Sequence, residues 1–110
     1  MTRFMLVLRG DVTKDYSHLT PDDMQRILGA YEAWAGRMAG EGRLKAGHKL
    51  MDEGGRVIRP AGKSSAVSDG PYAETKEVVG GYYLLDADDY DHAVRLCEGH
   101  PNLEFGSIEI

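Results

Sequence analysis

A single cysteine, Cys97, stands in the 110 residues of this chain. One thiol closes no internal disulfide, and secreted domains of this size commonly need such staples, so a reducing, cytoplasmic setting is expected. Long hydrophobic runs are scarce as well. The run near the N-terminus, Phe4 to Leu8, is five residues long and is closed by Arg9. A secretory leader needs a longer apolar stretch followed by small residues, and a spanning helix needs about 20 apolar residues, so no membrane partner is expected. Positive charge is in the minority: 13 Lys and Arg against 18 Asp and Glu leave a net charge of −5. No basic stripe relieves that balance, which argues against nucleic acid and against anionic membranes as partners. No pair among the four histidines has the spacing of a metal site, and one cysteine adds no ligand cluster. A phosphate-binding glycine loop, a Walker pattern and a Ser-centred elbow are all missing. Neither a metal nor another cofactor is expected.

What is present describes one small globular unit. Hydrophobic residues make up 42% and charged residues 28%, a balance that supports a folded core. The length suits one domain, taken as residues 1–110, with a real core and little surplus.

Residues Arg3 to Arg9 are apolar between their ends and too few for a helix, so they read as a strand covered on both faces. Thr20-Pro21-Asp22-Asp23 is a helix start: a capping hydroxyl, a proline suited to the first helical position and two acids at the positive end of the dipole. Met24, Ile27, Leu28, Tyr31, Trp34, Ala35 and Met38 then recur at steps of three and four, one apolar stripe on a helix of about five turns. Gly40 and Gly42 end it. Arg43 to Met51 has strand character, Asp52 to Gly55 is a turn, and Arg56 to Arg59 returns as its hairpin partner. Lys63 to Ser68 is a further extended piece, and Asp69-Gly70-Pro71-Tyr72 a sharp turn. Val78 to Leu85 is a second apolar strand. Its glycines, Gly80 and Gly81, point to close packing by a helix or to a ligand approaching the backbone. Asp88 or Asp89 caps a second helix with an inner stripe of Tyr90, Ala93, Val94 and Cys97, stopped by Gly99, His100 and Pro101. Glu104 to Ile110 is a last strand.

This order predicts an α+β fold: a ferredoxin-like sheet with two helices on one face and an elaborated middle. Two helices cover one face only, yet Arg3 to Arg9 and Val78 to Leu85 carry apolar side chains toward both. A second copy of the same sheet is the simplest cover, which predicts a homodimer.

The run Ser68 to Tyr83, SDGPYAETKEVVGGYY, resembles the signature of the DGPF-type branch of the YCII-related superfamily, with Tyr72 in place of the usual Phe. RFMLVLRGD resembles the family's first strand, EGRLKAGHKL its helix-to-strand passage and HPNLEFGSIEI its last strand, without the usual Arg-rich ending. The resemblance implies a dimeric α+β barrel with a cleft in each subunit. It also implies either small-molecule enzyme chemistry with a His and Asp pair or a domain associated with alternative sigma factors. Simple members carry a His in the first helix. Counting back from Gly42 puts Tyr31 at that place, which weakens a dehydrochlorinase-like assignment.

Within this frame the candidate catalytic residues are His48 and Asp69. His48 follows Gly47 on a strand that the resemblance puts near the cleft, where a neutral imidazole can serve as a general base. Asp69 opens the turn motif and can orient His48, or can simply accept hydrogen bonds from its own turn. The candidate substrate-binding residues are Tyr31, Tyr72, Thr75 and Lys76. Lys76 offers an anion contact and Thr75 a hydrogen bond, against the plainer reading of a solvated loop. Tyr31, Trp34, Tyr82 and Tyr83 either line an apolar pocket or form core. His18, His92 and His100 read as surface residues, and Cys97 as an inert core thiol. Two functions follow. One is a cofactor-free small-molecule enzyme using acid–base chemistry in a dimer cleft. The other is a non-catalytic small-molecule-binding or regulatory domain.

Overall fold

The computed structural model describes residues 1–11, 16–50, 55–69 and 77–110. Its first helix, α1 (Pro21–Gly40), starts where the capping signals stand. The Thr20 hydroxyl accepts from the Asp23 N–H at 3.1 Å, and the Asp23 carboxylate accepts from the Thr20 N–H at 2.9 Å, a reciprocal capping box. The helix follows β1 (Thr2–Asp11) and leads into β2 (Leu44–Lys49). A hairpin of β3 (Arg56–Ala61) and β4 (Ser64–Asp69) comes next, then β5 (Glu77–Ala87), α2 (Tyr90–Cys97), a 3-10 turn (Pro101–Glu104) and β6 (Gly106–Glu109).

Four strands form one antiparallel sheet in the order β2-β5-β1-β6. That order, with helices after β1 and β5, is compatible with the expected ferredoxin-like arrangement. Side-chain alternation sorts the sheet into two faces. Phe4, Leu6, Leu85 and Ala87 pack with Trp34 and Met38 of α1 and Ala93 and Cys97 of α2, so both helices cover one face. The other face carries Met5 opposite Leu84, Val7 opposite Tyr82, and His48 opposite Tyr82. Met5 is 51% exposed there.

Three expectations need correction. Arg56 to Ala61 pairs with β4, not with the segment before it, while β2 pairs with β5. Gly62, at φ +62°, makes the tight turn between β3 and β4, so the shorter loop closes the hairpin. The apolar stripes of both helices are also only partly used: Trp34 and Met38 are buried, whereas Met24, Leu28, Tyr90 and Val94 are exposed. The last strand is shorter than expected, because Pro101 to Glu104 wind into the 3-10 turn. Among the described residues, no helix is long and apolar enough to cross a membrane.

Candidate functional site

Between α1 and the β2–β5 side of the sheet lies a cleft of about 490 Å³. Leu28, Tyr31, Glu32 and Ala35 of α1 form one wall, and Leu8, Gly47, Lys49, Gly80, Tyr82 and Tyr83 contribute to the floor and rim, with Asn102 at the inner end. Two glycines shape it. A Cβ on Gly47 would stand 2.7 Å from Cδ1 of Tyr83, so only a bare backbone leaves that ring its place. At Gly80 the pairing of β1 with β5 shifts register, a bulge that leaves Gly80 exposed at the cleft, with nothing within 4 Å of where its Cβ would be. At Gly81, by contrast, a Cβ would stand 2.9 Å from the His48 carbonyl oxygen of the neighbouring strand. The close approach in this glycine pair therefore comes from strand β2, not from a helix.

Beneath the cleft is a polar cluster inside an aromatic shell. His100 is 1% exposed, so its reading as a surface residue is corrected. Gly99, at φ +77°, turns the chain back after α2, and His100 caps the 3-10 turn with its own ring: Nδ1 accepts from the Asn102 N–H at 3.0 Å. The ring lies edge-on to Trp34, Tyr31 and Tyr83, with centroids 4.7, 5.2 and 5.7 Å away. Burial pushes its pKa down to about 4, so it is neutral at physiological pH. Nε2 lies 3.4 Å from the Tyr83 hydroxyl. Tyr31 donates to Asn102 Oδ1 at 3.0 Å, while Asn102 Nδ2 donates to the carbonyls of Arg9 and Ser107 at 3.2 and 2.9 Å. Burial raises the pKa of both Tyr31 and Tyr83, so both remain protonated phenols. Trp34 completes the shell, its indole N–H donating to the Leu96 carbonyl at 2.9 Å.

The expected site residues separate. Tyr31 lines the cleft. His48 contributes to its rim, but its ring lies against Tyr82, centroids 5.7 Å apart. Paired with Tyr82, it is on the face opposite Tyr83 and Trp34, so its imidazole points away from the cleft floor. Asp69 ends β4 with its side chain 89% exposed and 3.4 Å from the Arg56 guanidinium. It is not among the cleft-lining residues, and the structure does not bring it together with His48. Tyr72, Thr75 and Lys76 lie outside the described residues. Among the described residues, no group of three or more His, Cys, Asp and Glu side chains converges to hold a metal ion. Cys97 is buried, and burial lifts its thiol to about 11, which suits the inert core role.

His100 and Asn102 are the residues that sequence reasoning missed. The one available signal was Gly99-His100-Pro101, a left-handed glycine followed by a cap position whose side chain must turn back on its own helix.

The YCII-related domain profile matches residues 5–110, nearly the whole chain. An uncharacterised protein of Rhizobium meliloti (strain 1021) is 36% identical over 56 residues, a match that covers 49% of this chain and 45% of that protein.

Proposed function

The chain belongs to the YCII-related domain family, and on that footing we propose that it binds a small, partly apolar molecule in the cleft between α1 and the sheet. The observation that carries this reading is the convergence of the half-buried phenols Tyr31 and Tyr83 on a cleft where Leu8, Leu28 and Ala35 supply apolar surface and Tyr82, Glu32, Lys49 and Asn102 further polar groups. Sites for small molecules combine an apolar lining with a few fixed polar groups in this way. Trp34, the only tryptophan, lies 4.9 Å from the Tyr83 ring and reports occupancy of the cleft. Screening small aromatic compounds by amide chemical shifts should move Tyr31, Tyr83 and Asn102 together. A library that moves none of them rejects the site.

A second copy is proposed as the cover of the other sheet face, where Met5 is half exposed beside Val7, Leu84 and Tyr82. Sedimentation at micromolar concentration is expected to give a twofold dimer, and a stable 12.1 kDa species alone overturns it.

The acid–base enzyme built on His48 and Asp69 is the second reading. What favours it is that both side chains are exposed, His48 on the open sheet face and Asp69 at the end of the hairpin, so a second copy can reach either one. Mixed His48→Cys and Asp69→Cys chains are then expected to yield a disulfide-linked dimer under mild oxidation, since Cys97 is buried and contributes little background. Only monomer after oxidation rejects the pair.

A further inference from the structure

Resting on the cleft reading above, we propose that Tyr83 is locked as a hydrogen-bond donor toward the cleft, so that the ligand class is small molecules presenting a carbonyl oxygen. The Asn102 N–H points at Nδ1 of His100 from 3.0 Å, and a backbone amide can only donate. Nδ1 therefore carries no proton, and the neutral ring holds its hydrogen on Nε2. Nε2 faces the Tyr83 oxygen at 3.4 Å, so that oxygen is the acceptor of the pair. Among the described residues, the Tyr83 hydroxyl meets no other hydrogen-bonding partner. Its own hydrogen is then left to point into the cleft that Tyr83 lines.

Asn102 holds the other end of the chain. Its amide orientation is set by the two backbone carbonyls of Arg9 and Ser107, which leaves Oδ1 to accept from Tyr31. The Tyr31 hydrogen is thus already used, whereas the Tyr83 hydrogen is not. Two phenols of the same type offer opposite polarity, and Tyr83 is the one suited to a carbonyl. The same geometry works against ligands that carry donors alone, since a hydrogen aimed at the Tyr83 oxygen competes with His100.

Two probes of matched shape test this: acetophenone, and α-methylstyrene, in which a methylene replaces the carbonyl oxygen. Dissociation constants come from amide shifts in titrations run to each compound's solubility limit, with the wild-type chain and with Tyr83→Phe. The expected result is a roughly tenfold weakening of acetophenone in Tyr83→Phe and no change for α-methylstyrene. Equal weakening of both probes, or of neither, overturns the locked donor and leaves the cleft reading standing. Failure of both probes to bind the wild-type chain overturns the carbonyl-selective donor, while the cleft reading stands or falls separately with the library screen. Should Tyr83→Phe not fold, the nitrogen-15 shifts of His100 in the free wild-type protein decide: a protonated Nε2 with a bare Nδ1 is expected, and a protonated Nδ1 overturns the proposal.

Discussion

Tyr82 and Tyr83 are neighbours in β5, and each has a histidine ring 5.7 Å away, His48 for Tyr82 and His100 for Tyr83. The separations match, yet the two pairs differ in almost every other respect. His48 is exposed on the open face of the sheet. His100 is sealed beneath Trp34 and bound at Nδ1 by the Asn102 amide. Proximity of a histidine to a tyrosine therefore says little by itself. What gives the second pair a defined tautomer and polarity is burial together with a third partner whose role is fixed by backbone chemistry. The contrast between the two faces can be broken at several points.

The largest expected effect is on core packing. Leu6 is 0% exposed at the centre of the helix-covered face, while Met5, the residue before it, is 51% exposed on the other. Leu6→Ala should cost about 2–5 kcal/mol of stability in urea unfolding. Met5→Ala should cost under about 1 kcal/mol in dilute protein. A larger loss for Met5→Ala that grows with protein concentration is what the proposed dimer would add.

Acid comes next. The His100 pKa falls from 6.5 to about 4 in the folded chain because burial penalises the charged ring. Between those values the unfolded chain binds more protons than the folded one, so stability declines as pH falls from about 6.5 toward 4 and levels off below. The loss is expected to approach about 3 kcal/mol. Urea midpoints across that window should fall steeply for the wild-type chain and less for His100→Asn, and parallel curves would show that another group carries the slope.

Gly47→Ala should cost less, about 1–3 kcal/mol, because its new Cβ meets an aromatic ring able to swing away. The informative readout is the fluorescence of Trp34, whose ring is 4.9 Å from Tyr83. A changed spectrum with a cooperative unfolding transition is expected. An unaltered spectrum would mean that Tyr83 does not depend on that glycine.

Much of the fold was legible because local signals and burial agreed. Thr20-Pro21 and Asp89 start helices by satisfying free amides, and the apolar runs of β1 and β5 became the two central strands. The hairpin partner was misread because the turn at Asp52 to Gly55 has the same composition as a hairpin loop, and composition does not choose between two candidate turns. The site was less legible. Tyr31 was singled out and lines the cleft, but a strand position alone does not say which face receives its side chain, and a one-residue difference sends His48 and Tyr83 to opposite sides. His100 escaped notice because its burial comes from α1 and β5, both distant in sequence.

The smallest expected effect concerns the hairpin, the region that differs most from the sheet. Ile58 and Val67 face each other across β3 and β4, yet they are 69% and 62% exposed. Every position of β4 is exposed, so the pair covers itself and little else. Cross-strand apolar pairs of this kind contribute modestly. Replacing both with Thr keeps the β-branched shape and strand preference, and the change in stability should stay within about 0.5 kcal/mol at any protein concentration. The open sheet face is the proposed interface, and Ile58 and Val67 have nothing further to lose where a second copy meets that face or only the Asp69 end of the hairpin. Urea unfolding at two protein concentrations separates the cases. A loss beyond about 1 kcal/mol that appears only at the higher concentration would move the interface from the sheet to the hairpin, because only there would Ile58 and Val67 have a second surface to bury against.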